Sequence, residues 1–146
     1  MEVKRIAEDS VVTNVKHAIP RMKRSYMTET QHHIGLIQWA KTQPILSEYL
    51  IHIPNGGYRH IKEAIKLKKM GVKAGVSDLF LAYPNPAYHG LWIELKSKKG
   101  HLTSEQKHWL NIMAEVGYAT AVSYNIKETY DILQNYFDLF EFGCLK

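Results

Sequence analysis

The sequence predicts an α/β domain, one β-sheet flanked by helices. Two observations predict it. Segments with helical spacing alternate with short β-branched and aromatic runs, in the order helix, strand, short helix, strand pair, helix, strand, helix. The length, 146 residues, suits one domain with a real core and is too short for two comfortable ones. Hydrophobic residues make up 45%, an ordinary globular share.

Residues 1–27 are mixed and basic, with Pro20 as a break, and read as an N-terminal extension to a domain over 28–146. A helix is expected from Thr28, capped by Thr28 or Thr30, with Ile34, Ile37, Trp39 and Ala40 as its apolar stripe and Pro44 as its end. Tyr49 to Ile53 reads as a strand, stopped by Pro54-Asn-Gly-Gly, a run that favours a tight turn. Ile61 to Met70 is a lysine-rich helix, with Gly71 at its C-terminus.

Leu79 to Tyr83 and Leu91 to Lys96 are strands joined by a segment rich in proline, asparagine and glycine, so a hairpin is expected. Thr103-Ser-Glu-Gln has the signature of a capping box. The helix it opens runs to Gly117, and Tyr118 to Tyr124 is a further strand. Ile126 to Phe140 is a final amphipathic helix with Tyr130, Leu133, Phe137 and Phe140 inward.

No apolar run approaches the length of a membrane span, and the N-terminus lacks the apolar core of a secretory signal, so a cytoplasmic protein is expected. The single cysteine, Cys144, has no internal disulfide partner. There is no phosphate loop, nucleophile elbow or dinucleotide fingerprint, which argues against a nucleotide cofactor and against serine hydrolysis. His32 and His33 are neighbours on a helix and point in different directions, so they do not share a metal. The other histidines show no zinc spacing.

The net charge is +5 and the isoelectric point about 9.2, which favours a polyanionic partner. The charge is local. Lys62, Lys66, Lys68, Lys69 and Lys73 precede Asp78, and Lys98, Lys99 and His101 follow Lys96.

The stretch from Gly71 to Gly100 carries the chemistry. Asp78 opens one apolar run, and Glu94 and Lys96 interrupt another. Residues two apart on a strand face the same way, so Glu94 and Lys96 share a face that Asp78 can join. The run Leu91, Trp92, Ile93 and Leu95 suggests a strand covered on both sides, where an ionised side chain is costly unless paired or metal-bound. Two carboxylates and a lysine at one point fit a site that holds Mg2+ or Mn2+ and cuts a phosphodiester. Asp78 and Glu94 would be the ligands and the Leu95 carbonyl a further one. Lys96 would contact the attacking water or a phosphate oxygen. Gln106 lies one turn into the next helix and can face the site. The expected nucleic-acid contacts are Lys68, Lys69 and Lys73, then Lys98, Lys99 and His101, with Asn55 and Arg59 at the Asn-Gly-Gly turn.

With these residues placed, the chain resembles the VRR-NUC domain, the virus-type replication–repair branch of the PD-(D/E)XK nucleases. The resemblance runs from about Glu29 to Phe137. It rests on IPNGGYR at 53–59, KLKKMGVKAGVSDLFL at 66–81, LWIELKSKKGHLTSEQKHWL at 91–110 and GYATAVSY at 117–124. The resemblance implies a restriction-endonuclease-like core with a central mixed sheet. It implies catalysis by Asp78, Glu94 and Lys96, with Gln106 in the following helix and Glu29 completing the metal site. Where the family often shows Glu-Gln in the first helix, this chain has His32 and His33. The resemblance further implies cleavage of branched, flapped or four-way-junction DNA, a homodimer, and kinship with phage enzymes working in a host cytoplasm. A module that keeps the fold but needs a partner to cut is the alternative. No residue separates DNA from RNA.

Overall fold

The computed structural model describes residues 27–55 and 61–143. The elements are α1 (Glu29–Ala40), α2 (Pro44–Tyr49), β1 (Leu50–His52), α3 (Ile61–Lys69), β2 (Leu79–Leu81), β3 (Leu91–Leu95), α4 (Ser104–Glu115), β4 (Ala119–Ser123) and α5 (Ile126–Gly143). Residues 1–26 of the basic extension, Arg59 and Cys144 lie outside the described residues.

The four strands form a sheet in the order β1-β2-β3-β4. β1 and β3 each pair antiparallel with β2, so the expected hairpin is present, and β3 pairs parallel with β4. The parallel pair follows from connectivity, because α4 carries the chain back before β4 begins. The sheet is therefore mixed, with helices around it.

Alternation gives the sheet two different faces. Leu79, Leu81, Leu91, Ile93 and Leu95 are fully buried and share the core with Leu36 and Ala40 of α1 and Leu133 and Tyr136 of α5. The opposite face carries Phe80 and Trp92, stacked with ring centroids 4.3 Å apart. Trp109 of α4 meets Trp92 edge-on at 5.2 Å. Glu94 follows Trp92 by two residues and so lies on this second face.

Three expectations are corrected. Pro44 does not end the first helix. α1 stops at Ala40, and Pro44 opens α2, where its fixed φ and missing N–H suit a first turn. The buried stripe of α1 is His32, Leu36 and Ala40, whereas Ile34 is 54% exposed. The stripe is rotated because His32 is held inside: its Nε2 lies 2.9 Å from the Thr129 hydroxyl of α5. Burial pushes the His32 imidazole below its usual pKa, which keeps it neutral in this place. On α5 the fully buried positions are Thr129, Leu133 and Tyr136, with Tyr130, Phe137 and Phe140 only partly covered. Tyr136 is tolerated inside because its hydroxyl donates to the Tyr83 carbonyl at 2.6 Å.

α3 is amphipathic but buries nothing. Ile61 and Ile65 are 75% and 51% exposed. Its C-terminus is a Schellman turn: the Val72 N–H donates to Leu67 and the Gly71 N–H to Lys68, with Gly71 at φ +91°. Among the described residues, no helix is long and apolar enough to cross a membrane.

The α1 register is directly testable. Leu36→Ala should cost about 2–5 kcal/mol in urea unfolding, and Ile34→Ala less than about 0.5 kcal/mol. A larger loss for Ile34→Ala than for Leu36→Ala would mean that the helix faces the core by the other stripe.

Candidate active site

Register brings the acids together. Leu79 pairs with Ile93 and Phe80 with Trp92, so one further antiparallel step sets Asp78 across from Glu94. Asp78 is tied to β1 and β3 at once. Its carbonyl accepts from the Ile53 N–H at 2.8 Å and lies 3.0 Å from His52 Nδ1. Its Oδ2 accepts from the Leu95 N–H at 2.9 Å.

Glu94 is 1% exposed and Lys96 9% exposed. Lys96 Nζ sits 2.8 Å from Glu94 Oε1. Gln106 Nε2 donates to the same oxygen. Glu94 Oε2 is buried and has no hydrogen-bond partner among the described residues. Gln106 can reach Glu94 because of how α4 starts. The Thr103 hydroxyl accepts from the Gln106 N–H at 3.3 Å, and Gln106 Oε1 accepts from the Thr103 N–H at 3.0 Å. The capping box consumes the amide oxygen and leaves the NH2 group for the carboxylate.

The loop before Asp78 closes the other side. Gly75 has φ +80°, and a Cβ there would run into the Glu105 backbone. Only glycine allows the loop to rest on the first turn of α4. Asn55 donates from Nδ2 to the Val76 carbonyl at 3.0 Å and pins the same loop to the end of β1. Glu29, Asn55, Asp78, Glu94, Lys96 and Gln106, with this loop, line an open pocket of about 270 Å³.

Burial is the largest influence on Glu94. It pushes the carboxyl up to about 7 against the pull of Lys96, and the negative charges of Asp78 and Glu29 add to the rise. Burial alone would lower Lys96, but the bond and charge of Glu94, with Glu29 and Asp78, more than offset it. Lys96 is therefore held above the ordinary lysine range and remains an ammonium. It suits charge stabilisation and not proton abstraction.

The donors converging here are carboxylate oxygens, which fit a hard divalent cation such as Mg2+ or Mn2+. A buried carboxylate oxygen without a partner is the atom such a cation would satisfy. Among the described residues, no three His, Cys, Asp or Glu groups are gathered for a closed cage.

Of the residues predicted from sequence, Asp78, Glu94, Lys96, Gln106 and Glu29 all line this pocket. Leu95 is buried and directs its amide to Asp78. Lys98, Lys99 and His101 are exposed between β3 and α4, and Lys68, Lys69 and Lys73 are exposed at the end of α3. Asn55 also lines the pocket, but its amide serves the loop. Sequence reading missed Glu105 and Gly75 as pocket residues and His52 as a partner of Asp78. Glu105 was overlooked as part of a capping run. Hydrogen bonds from its own amide, Thr103 and Ser104 hold its carboxyl below the usual range, so it stays ionised at the pocket mouth.

A protein-family model of the VRR-NUC domain matches residues 16–125. A solved structure described as a VRR_NUC domain protein is 32% identical, with a TM-score of 0.69. The likeness covers 79% of this chain and 92% of that one. No curated protein matches the sequence.

The raised Glu94 pKa has two measurable consequences. Its folded value lies above the unfolded one, so without metal the folded state binds the extra proton. Glu94 then lowers stability as pH rises from about 4.5 through about 7. Glu94→Gln should remove that slope from pH-dependent urea titrations. Metal binding needs the carboxylate, so Mn2+ should raise the melting temperature more at pH 8 than at pH 6. An equal rise at both would mean that Glu94 does not hold the ion.

Proposed function

This chain belongs to the VRR-NUC domain family, nucleases of the PD-(D/E)XK type, and we propose that it is a divalent-metal-dependent endonuclease acting on branched, flapped or junction DNA. The observation that carries the reading is the buried Glu94–Lys96 pair in a pocket that Asp78 also lines, with one Glu94 oxygen bonded twice and the other without a partner among the described residues.

A bound Mg2+ or Mn2+ would supply an activated water and offset charge at the phosphorus and the leaving oxygen. The Asp78 carboxylate and Glu94 Oε2 would hold it. In an extended strand the N–H and C=O of one residue face the same edge, so the Leu95 carbonyl faces Asp78 and can serve as a third donor. Glu29, at the pocket wall, would bind the ion through water or add negative charge to its surroundings. Lys96 remains protonated, fixes the attacking water and stabilises the negative charge that builds on the phosphate oxygens. Gln106 is a positioning residue. With Lys96 it occupies Glu94 Oε1, so that Oε2 is the oxygen presented to the ion.

The exposed lysines at 68, 69, 73 and 99 would contact the DNA backbone. Arg59 would join them by a bidentate phosphate contact. Symmetric cutting of a four-way junction calls for two such sites, which a homodimer would supply.

The test is cleavage of a labelled four-way junction beside a matched linear duplex, with Mg2+, with Mn2+ and with EDTA. Cutting should need metal and favour the junction. Asp78→Ala and Lys96→Ala should each lower it by about 10³-fold or more while DNA binding stays within about threefold. Full cleavage by both variants would sink the site assignment. Binding without cutting on any substrate would make the protein a DNA-binding module that needs a partner.

A further inference from the structure

α3 is a surface helix that the core does not explain. A helix normally gains its stability by burying one face, yet α3 has no buried residue. Ile61 and Ile65 are open to solvent, and two more apolar residues follow at its tip, where Met70 is 69% and Val72 41% exposed. The Schellman turn at Gly71 holds both at the point where the chain reverses. Around them lie Lys66, Lys68, Lys69 and Lys73, all exposed. Between residues 61 and 73 there are five lysines and one acid, Glu63.

The occupant of this surface must accept apolar side chains and a dense positive charge together. A second copy meeting α3 through a two-fold axis would set lysines against lysines. Duplex DNA supplies the negative charge, but its bases are stacked and hidden. DNA with unstacked bases supplies both, since phosphates surround exposed base faces at a branch, a flap or the edge of a single strand. Position favours the same partner. Val72 is six residues from Asp78, and a chain spans at most about 3.5 Å per residue, so the tip lies within about 20 Å of the carboxylates. That is about six base steps of duplex from the scissile phosphate.

We propose that the tip of α3 is a wedge that places Met70 and Val72 against unstacked bases at a DNA branch, while Lys68, Lys69 and Lys73 hold the flanking phosphates. The inference rests on the nuclease reading above and extends it by naming the element that tells branched from linear DNA.

The test reads base unstacking and binding, not cutting. Asp78→Ala protein is mixed with a flapped duplex carrying 2-aminopurine at the branch, and with the fully paired duplex. Fluorescence should rise on binding the flapped DNA, and affinity for it should exceed that for the duplex by about tenfold. Adding Met70→Ser and Val72→Ser should abolish the rise and make the two affinities equal, with duplex affinity and melting temperature unchanged. Adding Lys68→Gln and Lys69→Gln instead should weaken both substrates together and keep the preference. The proposal is overturned if the branch base does not brighten, or if the serine variant keeps its preference. It is equally overturned if the serine variant changes sedimentation mass, because the surface would then serve a second copy. Failure of the nuclease reading alone would leave the brightening intact, so the two outcomes are separable.

Discussion

A carboxylate has been taken out of water in the middle of a sheet, and the rest of the site follows from that. Glu94 sits on β3, a strand covered on both sides, and it is nearly inaccessible to solvent. An ionised group there is unfavourable by several kcal/mol unless its surroundings compensate. One oxygen is compensated twice, by Lys96 and by Gln106. The other has no hydrogen-bond partner among the described residues. Burial raises the pKa of the group to about 7, against the pull of Lys96.

Several local devices exist to keep that arrangement in register. The Phe80–Trp92 stack and the edge-on Trp109 form an apolar wall on the same face of the sheet, and α4 lies over it. The capping box of α4 turns Gln106 into the second partner of Glu94. Gly75 lets the preceding loop close on the start of that helix. Asp78 is held from the end of β1 and from β3 together. Precision of this kind suits catalysis, because a carboxylate displaced by about an ångström no longer shares a cation.

The outer parts of the molecule follow a different rule. α3 and the turn between β3 and α4 contribute charge and exposed surface and little to the core. Buried Glu94 and Lys96 line the pocket, and the exposed lysines of these outer parts carry positive charge.

The sequence by itself determined the strand pair, the α4 and α5 helices, and the acid, acid and lysine on one face. Those features depend on local propensity and on the two-residue alternation of strands, which are written into neighbouring residues. It could not place the inward stripe of α1, because that stripe depends on Thr129, a residue 97 positions away that gives the His32 ring a buried partner. It also missed α2, since Pro44 marks a helix start as readily as a helix end and only the surrounding chain decides between them. The same limit applies to the pocket. That Glu94 keeps one oxygen without a partner, and that Gly75 and Glu105 stand at its wall, are consequences of packing between distant segments. Tertiary structure decided them, because burial and unmet hydrogen bonds are properties of an assembled interior and not of any stretch of chain.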